Sequence, residues 1–247
     1  MRSVLLTSWL LMAISCAPNN ERTPGICLSF DDRTIDEWYA MMPLLEQYGA
    51  HVTFFVTQPD SLRPDEVVKL KAIAGHGHEI GSHGALHVNA ETYIKKYGYN
   101  SYLRDEVDVS VEAMKRMGFD PVSFAYPYGA AYWFTDLLLL QRFDCVRSVS
   151  PVGTDITRLD EIYYRFDSEK ELSAVGIDAG SGLTRQMVID AIGRAKERRE
   201  VLMLYGHKPS ATTGLPYQFD PSFLEFILEE CRKAGLQFYT FRELSTR

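Results

Sequence analysis

The sequence predicts an α/β fold, a distorted (β/α) barrel of seven or eight parallel strands, TIM-barrel-like. Three observations predict it. Short apolar runs rich in β-branched residues alternate with longer amphipathic runs along the chain, as in a parallel sheet covered by helices. Asp31-Asp32, His83, Tyr128 and His207 each fall just after a predicted strand. Barrels of this kind gather their reactive groups at the C-terminal strand ends. Finally, 247 residues suffice for one core of that size.

The elements follow in order. Residues 25–30 read as a buried strand that delivers the paired carboxylates. A helix over 34–48 ends at Gly49, and 51–57 is a second strand, rich in Val, Thr and Phe. Pro64 opens a helix over 64–74 that Gly75 closes. A short third strand covers 78–82, and a helix over 102–117 stops at Gly118. The fourth strand, 122–126, is followed by a helix over 132–142 and a fifth strand over 144–149. One more strand fits within 160–178. The amphipathic stretch 184–199 is a helix, 201–205 an apolar strand, 221–234 a helix ended by Gly235, and 236–241 the last strand.

Composition excludes some functions. Hydrophobic residues make up 46%, as in ordinary globular proteins, and the net charge is −7. Nucleic acid and anionic lipid select clustered Lys and Arg, and no basic stripe is present. The mixed-sign run 196–200 reads as an exposed helix end. No Cys-x-x-Cys occurs, and Cys27 and Cys145 lie in apolar runs that suit small buried hydrophobes.

The first residues read as an export signal, 1–15. Arg2 supplies a positive start, and Val4 to Ile14 is apolar but shorter than the ~20 residues of a membrane span. Ala13-Ile-Ser-Cys16 resembles a bacterial lipoprotein cleavage box with Cys16 as the acylated residue; plain secretory cleavage is the other reading. Residues 16–24 form a polar tether, and 25–247 the domain, which would meet a membrane only through its acyl chains.

Four motifs carry chemistry. One carboxylate of Asp31-Asp32 with His83 and His87 makes a ligand set for a divalent, zinc-type ion that keeps open positions. The other carboxylate stands where a general base belongs, which points to metal-assisted hydrolysis. His83 and His87 are one helical turn apart, so their rings can converge. His51, His76 and His78 lack such a pairing. Phe124-Ala-Tyr-Pro-Tyr128-Gly129 is a strand ending in a Pro turn whose following N–H can face an oxyanion. The apolar run 201–205, with Gly206, delivers His207, a candidate proton donor.

Together, Ser-Phe-Asp31-Asp32, His83-x-x-x-His87, Phe-Ala-Tyr-Pro-Tyr128-Gly and Tyr-Gly-His207 resemble the polysaccharide deacetylase family, the carbohydrate esterase family 4 or NodB-homology domain. The resemblance spans about 25–241. It implies a divalent metal, usually zinc (Zn2+), held by Asp32, His83 and His87. It implies Asp31 as base, His207 as acid and the Tyr128 N–H in the oxyanion hole. Water bound to the metal then attacks an acetamide or acetyl ester of a carbohydrate substrate. Three features depart from the family pattern. Many members carry Arg where this chain has Ala125, and Arg33 is a candidate substitute. The family's Asp-x-x-Asp-Trp string is absent, and Asp178 is the nearest candidate partner for His207. Tyr93, Tyr97, Tyr99 and Tyr102 crowd 90–105, where they either pack or stack on sugars at a cleft rim.

Two further functions fit the motifs. One is an amidohydrolase acting on a non-carbohydrate C–N bond, such as that of a cyclic ureide. The other is a carbohydrate-binding surface lipoprotein whose catalytic machinery is impaired. Retention of both Asp31 and His207 counts against the second, since binding alone requires neither.

Overall fold

The computed structural model describes residues 23–132, 134–212 and 215–246. The export segment 1–15 and most of the tether, Cys16 included, lie outside the described residues. No helix among the described residues is long and apolar enough to cross a membrane.

Seven parallel strands close a barrel. In chain order the elements are β1 (Gly25–Asp32), α1 (Ile35–Tyr48), β2 (Thr53–Val56), α2 (Pro64–Gly75), β3 (Glu79–Ser82), α3 (Ala90–Tyr97), α4 (Tyr99–Tyr102) and α5 (Val109–Arg116). Then come β4 (Ser123–Ala125), α6 (Thr135–Leu139), β5 (Cys145–Ser150), β6 (Tyr163–Tyr164), β7 (Glu171–Gly176), α7 (Arg185–Arg198) and β8 (Val201–Gly206). The chain ends with β9 (Lys208–Pro209), β10 (Gln218–Phe219), α8 (Pro221–Ala234), β11 (Gln237–Tyr239) and α9 (Phe241–Ser245). The barrel order is β1-β2-β3-β4-β5-β7-β8, and β8 returns to β1 in register from Gly25↔Val201 to Phe30↔Gly206.

The barrel is distorted at its N-terminal end. There β11 pairs with β1 at Gly25–Cys27, below the point where β2 joins at Ser29. On the other side of β8, antiparallel β6 occupies Val201 and Leu202, below the junction with β7 at Leu204. These two short strands fill the seams that splay open at the bottom. The stretch 160–178 therefore holds two strands, of which β7 belongs to the barrel.

Strand alternation sorts the core into layers. Along β1, Ile26, Leu28 and Phe30 face outward and meet Trp38, Met42 and Leu45 of α1 and Leu228 of α8 in the main core. Cys27 faces inward with Phe55, Ala125, Cys145, Ala174 and Met203, and these fill the barrel lumen. A third cluster, built on Phe124, Tyr126 and Val146, supports the helices after β3 and β4. Cys27, Cys145 and Cys231 are free and buried, as small hydrophobes.

Several predicted boundaries differ, and two of the differences have a plain local cause. The expected helix over 132–142 shrinks to α6, because the Thr135 hydroxyl bonds both the N–H and the carbonyl of Tyr132 and starts the helix late. The expected strand over 236–241 stops at Tyr239. Thr240 and Glu243 form a capping box that turns the chain into α9.

Candidate active site

The C-terminal mouth of the barrel is a cleft of about 480 Å³ lined by Asp31, Asp32, His83, His87, Tyr128, Gly129, Val149, Tyr205, His207 and Tyr217. All six residues singled out in the sequence meet there. Asp31 and Asp32 end β1, His83 directly follows β3, Tyr128 lies three residues past β4, and His207 directly follows β8.

Asp32, His83 and His87 each offer a ligand atom, all within 4.8 Å of one another. Nε2 of His87 lies 3.2 Å and Nε2 of His83 3.6 Å from Asp32 Oδ1. The His83 Nδ1–H donates to the Ala125 carbonyl at 2.8 Å, which fixes the tautomer and turns Nε2 toward the cleft. Burial lowers the His83 pKa to about 4, so the ring is the neutral imidazole that a metal requires. Burial alone would raise the Asp32 pKa; the hydrogen bond from His87 and the histidines that surround the carboxylate outweigh it and lower it. The donor types and their spacing fit a divalent ion.

The loop carrying His87 wraps a buried carboxylate. Glu106 accepts the Leu86 N–H at 2.6 Å and the Val88 N–H at 3.1 Å, and its own carbonyl accepts the Ala85 N–H. It sits in a π-helical segment, Leu103–Asp108, between α4 and α5. Gly84, at φ +81°, has no room for a Cβ beside that carboxylate. Strain concentrates here. Of the eight described non-glycine residues with positive φ, four line the cleft: Asp32, His87, Tyr128 and Tyr217. Such conformations cost about 1–3 kcal/mol each and persist where the surroundings enforce them. Tyr128 lies in the first turn of a 3-10 segment, where its N–H has no intrahelical acceptor.

His207 lines the same cleft from the end of β8, the strand beside β1. Its Nδ1–H donates to Asp178 Oδ2 at 2.6 Å, and its backbone N–H to Asp178 Oδ1 at 3.2 Å. Asp178 lies just past β7. Burial by itself would lower the His207 pKa; the Asp178 hydrogen bond and the charges of Asp31, Asp178 and Asp32 prevail and raise it. The Trp38 indole donates to the His207 carbonyl at 3.0 Å and holds the turn.

Arg33 does not reach Asp31. It binds the Ser61 hydroxyl at 2.6 Å, the Ser61 carbonyl at 2.7 Å and Glu66 at 2.9 Å, because the left-handed turn at Asp32 sends it toward the start of α2. The guanidinium at Asp31 is that of Arg147, on β5. It is fully buried, and Nη2 lies 2.5 Å from both Asp31 oxygens. A signal for it exists in the sequence. Arg147 alternates with Cys145 and Val149, so it faces the lumen, where a charge needs a partner. The rim tyrosines also differ from the sugar-stacking option. Tyr93 packs against Tyr97 and Tyr102, Tyr102 is buried, and none of the four lines the cleft. The exposed rings at the mouth are Tyr128 against His87 and Tyr217 against His207.

The family model for polysaccharide deacetylase matches residues 19–141. The chain belongs to the polysaccharide deacetylase family. No curated protein matches it. Among solved structures it is similar to the Xyl-CE4 domain of a multidomain xylanase from the hindgut metagenome of Trinervitermes trinervoides. That pair shares 19% identity over 90% of this chain and 89% of that one, with a TM-score of 0.59. A family 4 acetyl xylan esterase from Clostridium thermocellum, in complex with a cobalt ion, shares 17% identity over 90% of each chain, with a TM-score of 0.57. The peptidoglycan deacetylase PdaC from Bacillus subtilis shares 16% over 91% of each, with a TM-score of 0.57. At these identities the structures establish the barrel, and the polysaccharide deacetylase match establishes the family.

Proposed function

We propose that this protein is a metal-dependent carbohydrate deacetylase that removes acetyl groups from an N- or O-acetylated glycan. One observation carries the reading: two carboxylates, two ligand histidines and a carboxylate-paired histidine converge on one cleft at the C-terminal strand ends. Binding alone has no use for so complete a set. Both departures that favour an impaired enzyme have a geometric answer, since Arg147 contacts Asp31 and Asp178 contacts His207.

Asp32, His83 and His87 would hold the ion, zinc by donor type. When bound, it would lower the pKa of a coordinated water and polarise the acyl oxygen. Asp31 takes the proton as water attacks the acetyl carbon. The Tyr128 N–H donates to the developing oxyanion, a contact of a kind worth ~10²–10³ in kcat. His207 carries its Nε2 toward the cleft because Nδ1 is held by Asp178, and its raised pKa keeps a proton available. It passes that proton to the departing amine or alkoxide, and acetate is released. The open mouth with two exposed tyrosines suits sugar rings on either side of the acetyl group. The sequence of residues 1–16 supports export, with Cys16 acylated and the catalytic domain tethered at a bacterial membrane surface.

The test is acetate release from acetylated xylan, chitin oligomers and peptidoglycan, with zinc and with chelator. Asp31→Asn is expected to bind the metal as before and to lose about 10²–10⁴ in kcat, the usual weight of general-base catalysis. A metal-loaded wild-type protein that releases acetate from none of these would sink the proposal.

A further inference from the structure

We infer that Arg147 is the positioning residue of Asp31, and that this barrel carries on β5 the guanidinium that many family members carry on β4. The inference rests on the deacetylase reading for its kinetic consequence, but its geometry stands apart from it. Ala125 and Arg147 are register partners on adjacent strands, at the same height in the barrel. Both face the lumen. This chain therefore has a small residue at 125 and an Arg at its register partner 147, one Arg and one small residue across a single strand junction.

Three observations separate a positioning role from plain packing. The first is economy of contacts. Nη2 serves both oxygens of Asp31, while Nε and Nη1 are buried with no hydrogen-bond partner among the described residues. Buried polar groups are ordinarily satisfied, and a buried charge is costly to desolvate. A guanidinium kept for stability would spread its donors. The second is the clamp. The guanidinium lies over the Phe55 ring at 5.4 Å and the Tyr205 ring at 4.9 Å, two cation–π contacts that restrain the planar group. The third is what it touches. Asp31 is 2% exposed and lies at the inner wall of the cleft, and Tyr205 lines the same cleft. Arg147 itself does not line it. It acts through Asp31, by fixing the carboxylate's rotamer.

The test relocates the charge. Arg147→Met keeps an unbranched stem between Phe55 and Tyr205 but removes the donor. It is expected to lower kcat for acetate release at least ~30-fold, leave KM within about threefold, and leave zinc stoichiometry unchanged. The double variant Ala125→Arg/Arg147→Ala returns a guanidinium from β4 and is expected to recover at least ~tenfold over Arg147→Met. Crystal structures provide a readout independent of turnover: the Asp31 carboxylate should rotate away in Arg147→Met and return in the double variant. Folded Arg147→Met with wild-type kcat, or with Asp31 unmoved, overturns the inference, as does a folded double variant with no recovery. If Arg147→Met fails to fold, Arg147→Ala, the background of the double variant, takes its place in the same comparison. A wild-type protein without deacetylase activity defeats the proposed function, and the crystallographic arm still decides the role of Arg147.

Discussion

Glu79 and Arg147 are ionisable groups buried at opposite ends of one barrel, and they are treated in opposite ways. At the bottom, Glu79 of β3 is fully satisfied. Its carboxylate accepts the Thr53 hydroxyl at 2.9 Å, the Ser123 hydroxyl at 2.7 Å and the Arg242 N–H at 2.8 Å. At the top, Arg147 gives one nitrogen to Asp31 and leaves two without a partner. Glu79 ties β2, β3, β4 and α9 together and does not line the cleft at the mouth. Arg147 ties down one carboxylate at the edge of one. The difference teaches where each end spends its polar contacts. The bottom is closed by β6, β11 and the α9 cap, and its buried polar group holds strands together. The mouth holds strained backbone and partly satisfied groups, which stability alone would remove.

The largest effect expected from breaking this contrast lies at the bottom. Glu79→Leu leaves two hydroxyls and a backbone N–H without their acceptor, and each such loss costs about 1–3 kcal/mol. Urea unfolding is expected to show a loss of about 3 kcal/mol or more, while the folded fraction keeps kcat within about threefold. A fall in kcat without a fall in stability would put Glu79 on the catalytic side and dissolve the contrast.

The His207–Asp178 pair gives the next largest effect, and it depends on pH. The folded pKa of His207 is raised, so its protonated form persists above the ordinary value of about 6.5. An acid with a raised pKa loses activity as pH climbs through that value. Asp178→Asn removes the negative charge that opposes burial and leaves only a neutral amide beside the ring, so the alkaline limb of kcat should move to lower pH, with about a tenfold drop in kcat at neutral pH. Stability follows the same sign. A group whose folded pKa is raised stabilises fully below its unfolded value, and the contribution fades as pH rises through the folded one. The variant should therefore be less stable than wild type at pH 5–6 and converge with it at alkaline pH. An unshifted limb would show that another group supplies the proton.

Much of this arrangement is legible in the sequence. Periodicity and turn residues place six of the seven barrel strands, because each of these ends in a Gly, Pro or polar break, and they confine β7 only to the stretch 160–178. Asp31, Asp32, His83, His87, Tyr128 and His207 are legible because each sits next to such a break, and side chains there point into the mouth. Arg147 is less so. It lies inside a strand, and its partner is 116 residues away, a separation only the closed barrel bridges. Glu79 and Glu106 escape notice for the same reason, since a buried carboxylate is recognisable only by the donors that surround it. The short seam strand β6 depends on where the barrel splays, which local patterns do not encode, whereas β11 falls within the strand expected over 236–241.

The smallest expected effect sharpens the comparison from the other side. Arg33 directly follows the paired carboxylates and is the obvious cation for Asp31 by proximity in sequence. In space it bonds Ser61 and Glu66. Glu66 is independently held by the Arg63 backbone N–H at 2.7 Å and by the Arg63 guanidinium at 2.9 Å. Removing Arg33 therefore leaves no orphaned carboxylate, and the lost pair is partly exposed. Arg33→Ala should keep kcat within about twofold and cost less than about 1 kcal/mol in urea unfolding. A kcat loss as deep as that of Arg147→Met would mean that Asp31 is positioned from its own turn. The distinction between the closed bottom and the working mouth would then rest on the wrong arginine.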